Sequence, residues 1–343
     1  MKNTITSPLS ELITWVEDIK ANNGSSAASL YIIKDDKVVL EHYSGKHSHE
    51  ENAFPVTSQS QFNIASARKS YLGLAVSYAL YDQYISSLDD PISRYIPELN
   101  HQVMKDTTIR HLVTHSHGLD YNENGTIYRQ FMAGHSWAYR NVGVDIITNL
   151  IHRLYGKSFP KLLEERVFKP MGLKETGWRT EPDDQFVRII GDMEKPALSG
   201  LGTTANGTEK NLFVSPRELA LWGQLHLNKG IMNQKEIVPS KVIEVSTSIQ
   251  NDSYSDPTIP DNGLFWYVQN IPRDKSEIGV RVPKDSYQIL GVTGPTILVI
   301  PSLNVVVAKM YNKRYNYGGD QYLHYLREFS NKVSDLFSTQ CDL

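Results

Sequence analysis

Apolar positions along the chain change period several times. Ser10 to Lys20 has helical character, and between Ala28 and Tyr43 two β-rich runs flank Lys34-Asp35-Asp36-Lys37, the pattern of a hairpin. From Ser66 onward the period lengthens: Leu72, Ala75, Val76, Ala79 and Leu80 recur at helical spacing and predict an amphipathic helix. Helical and loop segments then dominate to about residue 245. β-character returns in Thr296–Ile300 and Val305–Met310, separated by Pro301-Ser302-Leu303-Asn304, and a last helix carries Tyr322, Leu326, Phe329, Val333 and Phe337.

Strands at both ends around a helical middle predict an α/β (α+β) chain in which an antiparallel sheet, joined by hairpins, is interrupted by an all-helical lobe. The expected arrangement is a single domain over 1–343. Its α/β layer comes from about 1–65 and 263–343, and its helical lobe from about 66–262. Two polar stretches, Asn251 to Asn262 and Pro272 to Asp285, read as long loops, a length that is often functional.

A chain of 343 residues can bury a large core. Its net charge of −3 gives no electrostatic reason to expect nucleic acid as a partner. No apolar run approaches the roughly 18–20 residues of a membrane span. The start, Met1-Lys2-Asn3-Thr4-Ile5-Thr6-Ser7-Pro8, lacks the charged, apolar and small-residue parts of a secretory signal, so a cytoplasmic protein is expected. The single cysteine, Cys341, has no internal disulfide partner and reads as a tail thiol.

Ser66-Ala67-Arg68-Lys69 is an S-x-x-K element. Residues three apart share a helix face, so the lysine amine can reach the serine hydroxyl and act as its base once its pKa is lowered. Phe62 and Ile64 before it and the amphipathic helix after it place Ser66 at a buried helix N-terminus, which favours developing negative charge. An ordinary capping serine with a solvated lysine fits the same residues. A second match, Ser158-Phe159-Pro160-Lys161, reads as a helix cap because Pro160 suits a first turn. Tyr139-Arg140-Asn141 is the only Y-x-N. A tyrosinate there could shuttle the serine proton and Asn141 could bind a substrate carbonyl, although a packing tyrosine followed by a capping asparagine fits equally. His111, His115 and His117 cluster in sequence, but no carboxylate pair accompanies them, so neither metal nor cofactor is expected.

Phe62-Asn63-Ile64-Ala65-Ser66-Ala67-Arg68-Lys69-Ser70 resembles the nucleophile region of class C β-lactamases and their esterase and peptidase relatives. Leu88-Asp89-Asp90-Pro91-Ile92, Ile109 to Leu119, Pro170-Met171-Gly172-Leu173, Ser215 to Ala220 and Leu225 to Gly230 continue the resemblance in one consistent order over roughly residues 28–312. It implies the β-lactamase/transpeptidase-like fold, with Ser66 as acylated nucleophile and Lys69 and Tyr139 as the acid/base pair. It further implies Asn141 as a substrate contact, and an oxyanion hole made by the Ser66 N–H and a backbone N–H on the edge strand.

The third family motif, Lys-Thr-Gly or His-x-Gly, departs. Matching it to Val292-Thr293-Gly294 would ask Pro295, which has no N–H, to donate to the oxyanion. Counting back from Pro301, the stretch Ile289-Leu290-Gly291-Val292-Thr293-Gly294 resembles the version found in relatives similar to 6-aminohexanoate-dimer hydrolase. Val292 then donates and Ile289 takes the place of the Lys or His. In either register the basic residue that helps hold the carboxylate of β-lactams and D-Ala-D-Ala peptides is gone. The expected substrate is a small-molecule ester, amide or non-standard peptide. An acyltransferase on the same acyl-serine, or an inactive binding protein, are the competing readings. Neither the acyl group nor the oligomeric state can be read from the sequence.

Overall fold

In the computed structural model, which describes residues 8–99, 101–191, 198–251, 253–314, 318 and 321–338, the predicted hairpin forms the edge of a seven-stranded sheet. The Met1–Ser7 start and Cys341 lie outside the described residues. Strands Ala27–Lys34 and Lys37–Gly45 join through Asp35 and Asp36, at φ of 51° and 60°. Paired positive φ values of this kind match the twist of a two-residue hairpin. The sheet order is Asp261–Asn262, Tyr267–Val268, Tyr287–Leu290, Thr296–Ile300, Val305–Tyr311, Ala27–Lys34, Lys37–Gly45, and every pair is antiparallel. The first and last parts of the chain meet at its centre, with Ala28 opposite Tyr311 and Lys34 opposite Val305.

Two-residue alternation lets this sheet bury both faces. Tyr31, Ile33, Ile297, Val299, Val306 and Ala308 face one core, while Leu30, Ile32, Leu298, Ile300, Val305 and Val307 face the other. Helices Pro8–Asn23 and Tyr322–Ser338 cover the second face through Val16, Ile19, Phe329 and Val333. Helix Pro216–Leu227 covers the first and joins it to the middle of the chain. One polar side chain intrudes among the apolar ones. Lys309, 3 % exposed, points its amine over the rings of Phe329, Tyr311 and Trp15.

The helix after the nucleophile spans Lys69–Tyr81, and every residue from Lys69 to Ala79 is buried. It is a central helix wrapped by others, not a surface helix with one apolar stripe. Helices Val142–Tyr155, Phe159–Leu163 and Ser240–Thr247 pack around it. The middle of the chain also carries short strands. Thr176–Trp178, Leu212–Val214, Gln61–Asn63 and Phe186–Val187 form a small mixed sheet that ends directly at the nucleophile turn. Two or three residues are too few to establish a period, so sequence pattern does not reveal them. Ser158 stands at the start of helix Phe159–Leu163, and its hydroxyl makes no capping bond.

Candidate active site

Ser66 sits in the 3-10 turn Ala65–Arg68, between the end of strand Gln61–Asn63 and the central helix. The turn is held under backbone strain. Ala65 has a φ of +46° and its N–H donates to the Asn63 side chain at 2.9 Å. A non-glycine residue in the left-handed region costs free energy and persists only where its surroundings fix it. Here Asn63 does so, its own amide donating to Gly200 O and Lys210 O.

The loop after strand Tyr287–Leu290 clamps onto this turn. The Thr293 hydroxyl donates to Asn63 O at 2.9 Å. Gly291 lies so close that a Cβ on it would stand 2.2 Å from Ile64 O. Inside the loop the Gly291 N–H donates to Pro295 O and the Gly294 N–H to Gly291 O, both at 2.8 Å. Val292 is therefore carried at the apex, 43 % exposed, and lines the same cavity as Ser66. Ile289 and Leu290 line that cavity too, whereas Pro295 turns away from it.

The cavity is about 480 Å³ and is walled by Trp137, Tyr139, Phe265, Tyr267 and Tyr322, with Arg140, Lys275 and Glu277 as its charged members. Tyr139 and Ser66 stand on the wall of the same cavity. The Lys69 amine lies over the Tyr139 ring, 3.7 Å from its centroid, and has no hydrogen-bond partner among the described residues. Burial drives the two groups in opposite directions. Desolvation, reinforced by the Arg68 guanidinium, pushes the Lys69 amine well below its ordinary value of 10.5. Desolvation raises the Tyr139 phenol above 10.0 despite the Ser66 hydroxyl and the Arg68 charge. The pair thus rests as a phenol beside a lysine poised to lose its proton.

The other candidates fall elsewhere. Asn141 starts helix Val142–Tyr155 with its side chain exposed, and it is not part of the cavity wall. The three histidines diverge. His111 completes a capping box with Thr108, and His117 accepts from the Leu119 N–H. His115 packs its ring 4.6 Å from that of Tyr139, behind the site. Among the described residues no group of three His, Cys, Asp or Glu side chains converges as a metal site. No helix among them is long and apolar enough to cross a membrane.

The polar loop before strand Tyr287–Leu290 holds what sequence reasoning passed over. Arg281, Arg273 and Lys284 on it were the cations in reach of the missing basic residue. Instead, Arg281 pairs with Asp335 at 2.9 Å and Arg273 donates to Pro257 O at 2.9 Å. Lys284 is exposed and does not line the cavity. The loop residues on the cavity wall are Lys275, which pairs with Asp256, and Glu277. A lone glutamate between Lys275-Ser276 and Ile278-Gly279 carries no motif. Only the packing of the loop, with Gly279 N–H on the Ser330 hydroxyl and Gln288 on Glu277 O, turns it inward.

An uncharacterized protein of Alkalihalophilus pseudofirmus is 41 % identical over 310 residues, which cover 90 % of each chain. Esterase EstB of Burkholderia gladioli is 22 % identical over 314 residues, 76 % of this chain and 79 % of that one. Among solved structures, EstCE1, titled a hydrolase with promiscuous acyltransferase activity, superposes with a TM-score of 0.74 at 17 % identity, covering 94 % of this chain and 99 % of that one. The family described as beta-lactamase matches residues 12–331. With almost its whole length matched and an antiparallel sheet of that fold, the chain belongs to the β-lactamase family of serine hydrolases.

Proposed function

We propose that the protein hydrolyses an ester or amide through an acyl-enzyme on Ser66. The observation that carries this reading is the buried Lys69 amine lying on the face of Tyr139, with Tyr139 and Ser66 on the wall of one cavity. A serine hydroxyl needs a base within reach, and a lysine stripped of water is one. As Ser66 Oγ attacks the carbonyl carbon, its proton passes to the Tyr139 oxygen and the phenol proton passes on to Lys69. The carbonyl oxygen takes the displaced electron pair and is held by the Ser66 and Val292 N–H groups. Collapse breaks the bond to the leaving group, which receives the proton back through Tyr139. Water repeats the sequence and frees the acid.

Burial of Lys69 and the strained Ala65 turn support this assignment, because both cost stability and both serve the serine. Ile289 in the place of a basic residue, with Lys275, the loop cation on the cavity wall, paired to Asp256, supports esters and small amides over penicillins. Intact mass spectrometry after exposure to a fluorophosphonate, an activated ester and a β-lactam tests the reading. The expected result is one adduct on Ser66 from the first two. Absence of any adduct on a folded protein would refute it. Adding an alcohol acceptor to the ester reaction separates hydrolysis from acyl transfer, the promiscuous activity described for the structural neighbour EstCE1.

A further inference from the structure

The walls of the cavity have a chemistry that nucleophilic catalysis alone does not require. Trp137, Phe265, Tyr267 and Tyr322 present aromatic surface, with the Trp137 and Tyr267 rings 6.2 Å apart, and Glu277 adds a carboxyl group among them. The two cations on the rim are already committed: Lys275 pairs with Asp256 at 2.7 Å and Arg140 with Asp120 at 2.5 Å. Glu277 pairs with no cation among the described residues. The Tyr267 hydroxyl and, at a distance, the Lys69 amine favour its charged form. Its backbone is fixed, because Gln288 donates to Glu277 O at 2.9 Å and Arg327 to the neighbouring Ser276 O at 2.8 Å. A carboxyl preplaced in a box of aromatic rings is what recognises an ammonium, since the ring faces attract a cation and the carboxylate neutralises it.

We propose that the cavity accepts a substrate bearing an alkylammonium group, with Glu277 as its counter-ion and Trp137, Phe265, Tyr267 and Tyr322 as its aromatic walls. This deepens the reading of Ser66 as nucleophile and rests on it. Glu277 is a specificity-determining residue here. Burial raises the Glu277 carboxyl to about 8, against the pull of Lys69 and the Tyr267 hydroxyl.

The test has two arms. In the first, tetramethylammonium is titrated calorimetrically into full-length Ser66→Ala protein, with tert-butanol as the neutral probe. Saturable binding of the cation alone is expected, weakened about tenfold or more by Glu277→Gln and partly kept by Glu277→Asp. Trp137→Ala, which leaves the carboxyl in place, is expected to weaken it as well, and it serves if Glu277→Gln does not fold. In the second, the wild-type enzyme is offered two p-nitrophenyl esters of one shape, 4-(trimethylammonio)butyrate and 5,5-dimethylhexanoate. The cationic ester is expected to be favoured about tenfold or more in kcat/KM, chiefly through KM, and Glu277→Gln to bring the ratio near one. Absence of saturable cation binding, or equal binding in Glu277→Gln, would overturn the proposal even if both esters turn over. Failure of both esters and of Ser66 acylation would instead remove the nucleophile reading, while the titration still decides the ammonium site.

Discussion

Adding one methyl group at Gly291 is expected to disable the oxyanion hole while leaving the fold standing. The Cβ of an alanine there would meet Ile64 O at 2.2 Å, Ile64 C at 3.0 Å and the Ala65 Cβ at 3.1 Å. All three atoms are backbone or a fixed methyl, so the contact is relieved only by moving the loop away from the nucleophile turn, by roughly 1 Å. Such a shift carries the Val292 N–H off the position of the oxyanion and loosens the Thr293 clamp on Asn63. Loss of one such donor lowers kcat by about 10²–10³, and misplacement of about 1 Å alone costs about 10². The strain on folding is smaller, about 1–3 kcal/mol. The assay is the burst and steady state of p-nitrophenyl acetate hydrolysis beside the thermal melt. Gly291→Ala should lose two to three decades in acylation rate with a melt shifted by only a few degrees. Thr293→Val, which removes the clamp without a clash, should fall in the same direction but less far. A Gly291→Ala enzyme within a few-fold of wild type would show that this loop does not set the reaction geometry.

Ser66→Ala should abolish turnover of any ester, whereas Ser158→Ala, whose hydroxyl caps nothing, should leave kcat/KM nearly unchanged. Tyr139→Phe should lower the acylation rate by about 10²–10⁴, and an undisturbed rate would remove the phenol from the proton path. Nitrocefin should be hydrolysed with a kcat/KM at least about 10² below that of p-nitrophenyl butyrate, because its carboxylate meets Ile289 and Glu277 instead of a cation; efficient turnover would refute that reading. Lys309 gives a stability prediction. Burial lowers its amine from 10.5 to about 7, so the unfolded chain binds the extra proton between those values and stability rises as pH rises through that window. Lys309→Met should therefore melt higher than wild type at pH 7, by up to a few kcal/mol once the three rings are counted against it, and the gap should close toward pH 10. A gap that is constant with pH would mean that the amine is charged in the fold.

The sequence made legible the parts of the site that depend on short spacing. Ser66 and Lys69 share one helical turn, and Tyr139 precedes a strongly apolar helix, so both elements stand out locally and the fold brings them together. The family resemblance supplied the sheet, and hairpin chemistry at Asp35-Asp36 supplied its edge. Asn141 shows the limit of carrying a motif residue by residue, because its backbone starts a helix and its side chain leaves the cavity. Glu277, Trp137 and Tyr322 come from three distant segments, and nothing in their neighbours marks them. Their meeting is settled by the long loop packing on the last helix, a tertiary event without a local period. The protonation of the pair was equally hidden: residue types allow a tyrosinate or a free amine, and only the measure of burial decides between them.

The pairing of Ala27–Lys34 with Val305–Tyr311 also governs when the protein becomes active. On a ribosome the first strand emerges early and has only its hairpin partner to hold it. The strand that completes its other edge ends 283 residues later, as the offset between Ala28 and Tyr311 shows. Contacts of such separation slow folding and leave an unpaired apolar edge waiting during synthesis. The loop that fixes Val292 against Ser66 lies between two strands of that late group. A chain stopped before residue 311 therefore contains the serine, the lysine and the tyrosine, yet has no frame to hold them, and its hydrolase activity should appear in one step on release of the full chain.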